Sequence, residues 1–271
     1  MRLISLLSAV ALLALRLGPA GAIDTADPMA NIEAWIKLTG DTSGKTVFRW
    51  QKGVAYAMPK GAASQPLLGL EGLAIVRDTK LPEGGYREQQ VACGLYFDPA
   101  TGAYIHEMTN PFTGKIVKLG NRCGGISGAR FTREGLKMEA NFAMESSVLG
   151  RPYLLQWALN GDRAVIKRVA HTKWVEPASG KTKFEITADT YAAKLSDLEN
   201  PAKTSVDASY SWVSQTEWMT MLDMADRPGN MLWMMDGQKF ASAADIPAAF
   251  RKAFEEAYPG RLAAGIGAAP Q

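Results

Sequence analysis

The sequence predicts a mainly β protein, in which an antiparallel meander forms either a strongly bent sheet or a closed β-barrel. About ten short extended segments follow one another through hairpin-like turns, and no helices stand between them, which argues against a βαβ fold. Several segments alternate apolar and polar residues, as half-buried strands do. Bending or closure is favoured because it protects or removes unpaired strand edges. Short helices near both ends are expected to pack on this sheet.

The first 22 residues are interpreted as a secretory signal peptide. A basic start, Met1-Arg2, precedes the apolar run Leu3–Leu15, which is too short to span a bilayer comfortably. Small residues follow at Ala20–Ala22, where a signal peptidase would cleave. The alternative is an uncleaved membrane anchor. Cleavage predicts an exported protein, periplasmic or secreted, with one β-rich domain over residues 23–260, a disordered tail over residues 261–271 and no stable membrane insertion.

The charge of the chain gives no indication of a charged partner. Removal of residues 1–22 takes away Arg2 and Arg16, so the formal charge falls from +3 to +1. A nearly neutral protein has no electrostatic reason to bind nucleic acid or anionic lipid. We therefore expect neither partner, and the sequence leaves the oligomeric state open.

The first element of the mature chain is a predicted helix. Asp27 is a suitable N-cap, Pro28 suits the first helical position, and Gly40 can end the helix. Its apolar side includes Ile32 and Ile36. The helix is short, so we expect it to be docked on the main body.

Extended segments then follow from Thr46 to Trp212. The first two are Thr46–Met58 and Leu67–Arg77, and Tyr86–Leu119 forms a three-piece meander with two Pro/Gly turns. Further strands are predicted at Gly135–Phe142, Tyr153–Asn160, Arg163–Val175, Lys181–Tyr191 and Ser205–Trp212.

The C-terminal part is rich in methionine and then becomes helical. A copper site is one interpretation of the methionines between Trp218 and Met235, since thioethers suit cuprous ion. We favour a flexible core filler, because Trp218 and Leu222 have helical spacing. A final helix is predicted beyond Gly237, with Ser242 or Asp245 as its cap.

Three motifs carry a family resemblance. They are Leu68-Gly-Leu-Glu-Gly72, the turn Thr109-Asn-Pro-Phe-Thr-Gly114, and Asp226-Arg-Pro-Gly229 with Gly237. With them, the chain resembles an uncharacterised bacterial exported-protein family, domain of unknown function eighteen thirty-eight, from roughly Trp35 to Pro259. The resemblance implies an exported, mostly β protein without an assigned activity, and it implies no functional residue.

Cys93 and Cys123 are the two cysteines of the chain. In an oxidising compartment they could form a disulfide. The sequence cannot show that their Cβ atoms meet, so pairing and two free thiols both stay open. A redox site is disfavoured, because the sequence has no Cys-x-x-Cys motif.

The candidate catalytic residues are His106, Tyr104 and Glu71. On a predicted strand, Ala103–Thr109, alternation places His106 beside Tyr104 and Met108, and a buried imidazole next to a phenol suits acid–base chemistry. The alternative for His106 is a core histidine that binds a backbone carbonyl.

Glu71 stands between two glycines in an apolar strand, so it is either a general base or an ion-pair partner of Arg77 or Arg87. The other histidine, His171, is expected at the surface, because lysines share its face. No metal or cofactor motif is present, and we expect neither.

The favoured function is the binding of a small hydrophobic or aromatic molecule inside a calycin-like barrel. Tryptophan and tyrosine are frequent, and several stand on alternating faces that also carry polar groups. The candidate ligand-binding residues are Trp50, Tyr56, Met108, Trp157, Tyr210 and Trp212. The alternatives are a metal-independent isomerase, cyclase or lyase in the same pocket, and an envelope structural or assembly protein. Whether the protein is an enzyme stays open at this point.

Overall fold

The computed structural model describes residues 23–120, 122–139, 144–175 and 180–266. Its centre is an antiparallel sheet of ten strands curled into a half-barrel, so the bent sheet is the form that the fold takes. The predicted signal peptide and residues 267–271 of the predicted tail lie outside the described residues. No helix among those described is long and apolar enough to cross a membrane.

Fourteen strands and four α-helices are present among the described residues. The strands are β1 (Val47–Pro59), β2 (Gln65–Lys80), β3 (Tyr86–Phe97), β4 (Glu107–Thr109), β5 (Ile116–Lys118), β6 (Arg122–Cys123), β7 (Ser127–Thr132), β8 (Gly135–Glu139), β9 (Met144–Ser146), β10 (Gln156–Asn160), β11 (Arg163–Val175), β12 (Thr182–Lys194), β13 (Ser209–Thr216) and β14 (Gly229–Phe240). The helices are α1 (Pro28–Thr39), α2 (Leu195–Glu199), α3 (Ala248–Ala257) and α4 (Arg261–Ala264).

Strand order places β1 and β14 side by side in the middle of the sheet. The order is β10-β11-β12-β13-β14-β1-β2-β3-β7-β8, with β6 added beside β3 and β9 beside β11. β4 and β5 form a separate hairpin. Every pairing among these strands is antiparallel, as a meander requires.

Helix α1 lies against the concave face of the half-barrel. Asp27 caps it by accepting a hydrogen bond from the Ala30 amide at 3.3 Å, and Gly40 N–H donates to the Ile36 carbonyl at 2.7 Å, which confirms the predicted ends. Its apolar side chains pack with residues from the strands on either side, including Phe131 and Ile166. The helix therefore fills one end of the concave face.

Two buried lysines fix the end of α1. Lys239 Nζ donates to the carbonyls of Lys37 and Gly40 and to Ser205 Oγ. Lys37 Nζ donates to the carbonyls of Leu198 and Asn200 at 3.0 and 3.1 Å. Ammonium groups suit the carbonyl end of a helix, where the dipole is negative.

Two further clusters cover the rest of the sheet. Farther along the concave face, Leu68, Met231 and Trp233 pack with Val117 of the β4–β5 hairpin and with Leu222. On the convex face, Ile75 and Val91 pack under Phe250 and Phe254 of α3. β2 is consequently buried on both faces over most of its length.

Several predicted boundaries differ from the structure. The predicted strand Ala103–Thr109 is regular only over β4, the one predicted at Tyr153 begins at Gln156, and β13 begins later than Ser205. Tyr153 instead packs its ring edge-on against Trp35 and Phe131. The final helix begins at Ala248, and Ser242 caps a separate turn over Ala243–Asp245.

Two elements, β14 and α4, differ from the sequence prediction. β14 occupies the methionine-rich segment for which no strand was predicted, and its Met231 and Met235 are core residues. The predicted disordered tail begins instead with α4, because Leu262 and Ile266 pack into the convex-face cluster.

Candidate functional site

A cavity of about 450 Å³ lies on the concave face, between α1 and the cluster around Trp233. Its walls come from strands on both sides of the half-barrel, including β1, β3, β11 and β12, and Trp35 of α1 contributes to the lining. Alternation along each strand decides which side chains enter. On β1 these are Arg49 and Gln51, and on β3 they include Glu88, Gln90 and Ala92.

One wall carries a guanidinium between a carboxylate and an amide. Arg49 NH1 lies 3.6 Å from Glu88 Oε2, and Arg49 NH2 donates to Gln90 Oε1. Glu88 is 8% exposed, so its charge is largely removed from water. Arg49 supplies the opposite charge that such a buried carboxylate requires.

The facing wall carries a second pair of the same kind. Arg168 and Asp189 stand directly opposite each other on β11 and β12, and Arg168 Nε and NH2 donate to Asp189 Oδ2 at 2.8 and 2.5 Å. The guanidinium also lies over the Trp35 ring, 4.6 Å from its centroid. The strand register and the helix together fix the position of this charge.

Two tyrosines stand between these ion pairs. The Tyr191 and Tyr210 rings are stacked, with centroids 5.1 Å apart and an interplanar angle of 23°. Tyr210 Oη donates to the Trp50 carbonyl at 3.1 Å. Burial raises the pKa of Tyr191 to about 12, so this phenol stays protonated at neutral pH. The pair provides an aromatic surface with neutral hydroxyl groups.

The rest of the lining is mostly apolar or uncharged. Apolar side chains and small residues form the largest part, among them Leu70, Ala92, Leu136, Met138, Val148 and Ala170. Glu185 is the fifth charged side chain among the described lining residues, and it accepts a hydrogen bond from Ser214 Oγ. Charged and uncharged polar side chains are therefore set into a lining whose larger part is apolar, and small-molecule sites also combine the two.

A buried acid stands beside this cavity. Asp78 lies directly opposite Glu88 in the β2–β3 register, is 1% exposed, and accepts from the Asp41 amide at 3.2 Å. Burial, and then the neighbouring Glu88 carboxylate, raises the Asp78 pKa to about 8. Asp78 therefore holds a proton near neutrality and adds no full charge beside Arg49 and Glu88.

Of the six predicted ligand-binding residues, two line the cavity and four do not. Tyr210 and Trp212 line the cavity. Trp50 packs with the convex-face cluster, Met108 packs against the cluster around Trp233, and Trp157 donates to Asn31 Oδ1 at 2.9 Å. Tyr56 is half-buried on β1 and is not among the residues that line the cavity. Ligand binding by the last four stays a prediction that this cavity does not support.

The predicted catalytic residues lie outside the cavity. Glu71 accepts from Trp50 Nε1 at 2.9 Å and from Tyr104 Oη at 2.8 Å, and Lys52 Nζ lies 2.9 Å from its Oε2. Glu71 thus has an ion pair, as one interpretation expected, but with Lys52 rather than Arg77 or Arg87. The arrangement ties the segment after β3 to the sheet.

The two histidines are both exposed. The chain is not extended at His106, which stands in a bend just before β4. The predicted buried pairing of His106 with Tyr104 therefore does not form. His171 is exposed on β11, where it was expected. A catalytic role for His106, Tyr104 or Glu71 stays a prediction without support from this cavity.

Cys93 and Cys123 form a disulfide between β3 and β6. The bond connects the Gly-rich segment after β5 to the sheet, and Cys93 belongs to the cluster under α3. Within the described ranges, no three His, Cys, Asp or Glu side chains are grouped to hold a metal ion. The cysteines therefore act as a covalent connection in this fold.

Sequence reasoning missed the paired charges Arg49–Glu88 and Arg168–Asp189. One feature of the sequence could have indicated them, because each is a charged residue on the face of its strand that alternation turns toward the interior. Nothing in the sequence indicated which strands would stand opposite each other across the half-barrel.

One family model, for a protein of unknown function (DUF1838), matches residues 44–123 and 172–264. The matched residues include Arg49, Glu88 and Asp189, whereas Arg168 lies in the part between the two matched ranges. Comparison with curated proteins and with solved structures gives no significant match.

Proposed function

This chain belongs to the DUF1838 family of proteins of unknown function, and we propose that it binds a small, mainly apolar organic molecule in the concave cavity. The observation that carries the proposal is the cavity of about 450 Å³, which falls within the range of small-molecule sites. Its wall combines apolar side chains, a stacked tyrosine pair and several polar groups, of which the two arginines are held by other side chains. That combination suits a ligand with an apolar body and a polar end.

The polar groups of the cavity are held in place before any ligand arrives. Arg49 is fixed by Glu88 and Gln90, and Arg168 is fixed by Asp189 and Trp35. Each side chain extends from a strand that is paired on both sides. A preorganised wall of this kind lowers the entropy cost of binding.

A cavity-filling variant tests the proposal. Ala92 is exposed within the lining, so Ala92→Trp would occupy ligand space without disturbing a packed core. Ala158→Trp, an exposed alanine of β10 outside the lining, is the matched control. The probe is N-phenyl-1-naphthylamine, which is uncharged and fluoresces in apolar surroundings.

We expect saturable probe binding by the wild type and by Ala158→Trp, with dissociation constants within about twofold of each other. Ala92→Trp should weaken binding by roughly tenfold or more, since filling the site costs at least ~1.4 kcal/mol. Absence of saturable binding, or equal affinity of all three proteins, would overturn the proposal.

We further propose that the protein acts outside the cytoplasm. The Cys93–Cys123 disulfide supports this location, because such bonds persist in oxidising compartments. Fractionation of a bacterium that expresses the full chain should recover the protein in the periplasm or medium, with residues 1–22 removed. Recovery of the uncleaved chain in the cytoplasm would contradict the export proposal and leave the ligand proposal intact.

A further inference from the structure

We infer that the cavity selects uncharged ligands and rejects anions, because its buried charges already neutralise one another. The inference rests on the proposed function and specifies the chemical class of its ligand. It follows from two ion pairs on facing walls, Arg49 with Glu88 and Arg168 with Asp189.

Each guanidinium is engaged by groups of the protein itself. Arg49 donates through NH2 to Gln90 and its NH1 lies 3.6 Å from Glu88 Oε2, within ion-pair distance, while Arg168 directs Nε and NH2 at one oxygen of Asp189. The Trp35 ring covers a face of the Arg168 guanidinium. A ligand carboxylate would have to compete with these partners for either arginine.

An ionised ligand would also bring an uncompensated charge into this space. Glu88 and Asp189 are 8% and 7% exposed, so little water reaches either carboxylate. A lone charge is costly there, whereas a neutral hydroxyl or carbonyl needs only hydrogen bonds. Gln51 and Thr187 in the lining, together with the Tyr191 phenol, can supply such bonds.

The remaining charged side chain of the lining also opposes anions. Glu185 is half-buried and accepts from Ser214, so its carboxylate adds one negative charge to the wall. Among the described lining residues there are consequently three carboxylates, Glu88, Glu185 and Asp189, and two guanidinium groups. Because Glu185 is only half-buried, water screens its attraction for a cation.

Three probes with the same two-ring body separate these possibilities. They are 2-naphthol, which is neutral at pH 7, 2-naphthoate, which is an anion, and (2-naphthylmethyl)ammonium, which is a cation. Isothermal titration calorimetry at neutral pH would give their dissociation constants for the wild-type protein. We expect 2-naphthol to bind at least ~10-fold more tightly than 2-naphthoate and more tightly than the ammonium probe.

A variant that breaks one pair should reduce or abolish the preference for the neutral probe. Asp189→Asn removes a carboxylate and leaves the Arg168 charge unbalanced. The affinity for 2-naphthoate should therefore rise roughly tenfold or more relative to the affinity for 2-naphthol. Asp236→Asn, at an exposed aspartate of β14 outside the lining, should leave the ratio unchanged. Glu88→Gln tests the same idea at Arg49, and circular dichroism identifies any variant that does not fold.

The outcomes separate the two proposals. If 2-naphthol and 2-naphthoate both saturate the wild type with equal affinity, or if the ammonium probe binds most tightly, the charge-balance inference fails and ligand binding stands. An unchanged ratio in a folded Asp189→Asn protein and in a folded Glu88→Gln protein would also overturn it. If no probe saturates the cavity, the proposed function itself fails.

Discussion

The Arg168 guanidinium lies over the indole ring of Trp35, with its central carbon 4.6 Å from the ring centroid. This contact joins helix α1 to the wall of the cavity, and the Asp189 carboxylate fixes the same guanidinium from the neighbouring strand. The helix and the cavity are therefore connected through one charged side chain.

Arg168→Lys should destabilise the protein more than a conservative exchange usually does. Lysine has no planar group to stack on Trp35 and cannot donate two fixed hydrogen bonds to Asp189. We expect the free energy of unfolding to fall by about 2 kcal/mol, measured by urea denaturation. Arg163→Lys, at an exposed position of the same strand, should change it by less than ~0.5 kcal/mol. Equal effects would show that the stacking contributes nothing specific.

Asp78 should make stability depend on pH in a defined direction. Its folded-state pKa is raised from 3.8 to about 8 by burial and by Glu88, so between these values the folded protein holds a proton that the unfolded chain has lost. The contribution of this group to stability therefore falls as pH rises through this window.

Asp78→Asn removes that dependence while it keeps an uncharged group of similar shape. Relative to wild type, its free energy of unfolding should rise by ~1 kcal/mol or more between about pH 5 and pH 8. Urea denaturation at several pH values measures the difference. Asp226→Asn, at an exposed turn, is the control. A difference that does not change with pH would contradict the raised pKa.

Removal of the disulfide should destabilise the folded chain by a predictable amount. The bond closes a loop with a sequence separation of 30, for which the loop-entropy model gives roughly 3–4 kcal/mol. The Cys93→Ala/Cys123→Ala protein should unfold at a lower urea concentration and be insensitive to reductant. The wild type should approach it when a reductant is added. Similar midpoints for the oxidised wild type and the double variant would argue against this stabilisation.

Substitution of the candidate catalytic residues should leave probe binding intact. Glu71 and Tyr104 meet outside the cavity, and His106 is exposed. Glu71→Gln and His106→Ala should each bind N-phenyl-1-naphthylamine within about twofold of wild type. Glu71→Gln should still lower the thermal midpoint, because it breaks the ion pair with Lys52. A large loss of affinity in either folded variant would place the binding site on the other face.

Alternation and turn chemistry predicted most of the sheet, and capping predicted α1. Alternation failed to distinguish the inner from the outer face where both are covered. Leu73 and Leu70 on β2 are both buried, one under α3 and the other on the concave side. Local pattern could not show that Glu71 belongs to the face away from the cavity.

The cavity was harder to predict because its parts come from distant segments. Arg168 pairs with Asp189 on the adjacent strand, and Arg49 pairs with Glu88 two strands away in the sheet. The two arginines share a cavity only because the sheet curls. β14 was missed for a different reason. Its methionines and Trp233 indicate a buried segment without a clear strand pattern, and only pairing with β1 and β13 makes it extended.

The pairing of β1 with β14 also has a consequence for how the chain must assemble. Among the described strands, β1 is the first to leave the ribosome, yet β14, the partner for one of its edges, is the last. Until then this edge has unpaired amide and carbonyl groups next to apolar side chains, which is the state in which strands add to other chains. A product truncated before Gly229 would therefore keep an open, aggregation-prone edge, and so would a chain whose synthesis stops before β14 is complete.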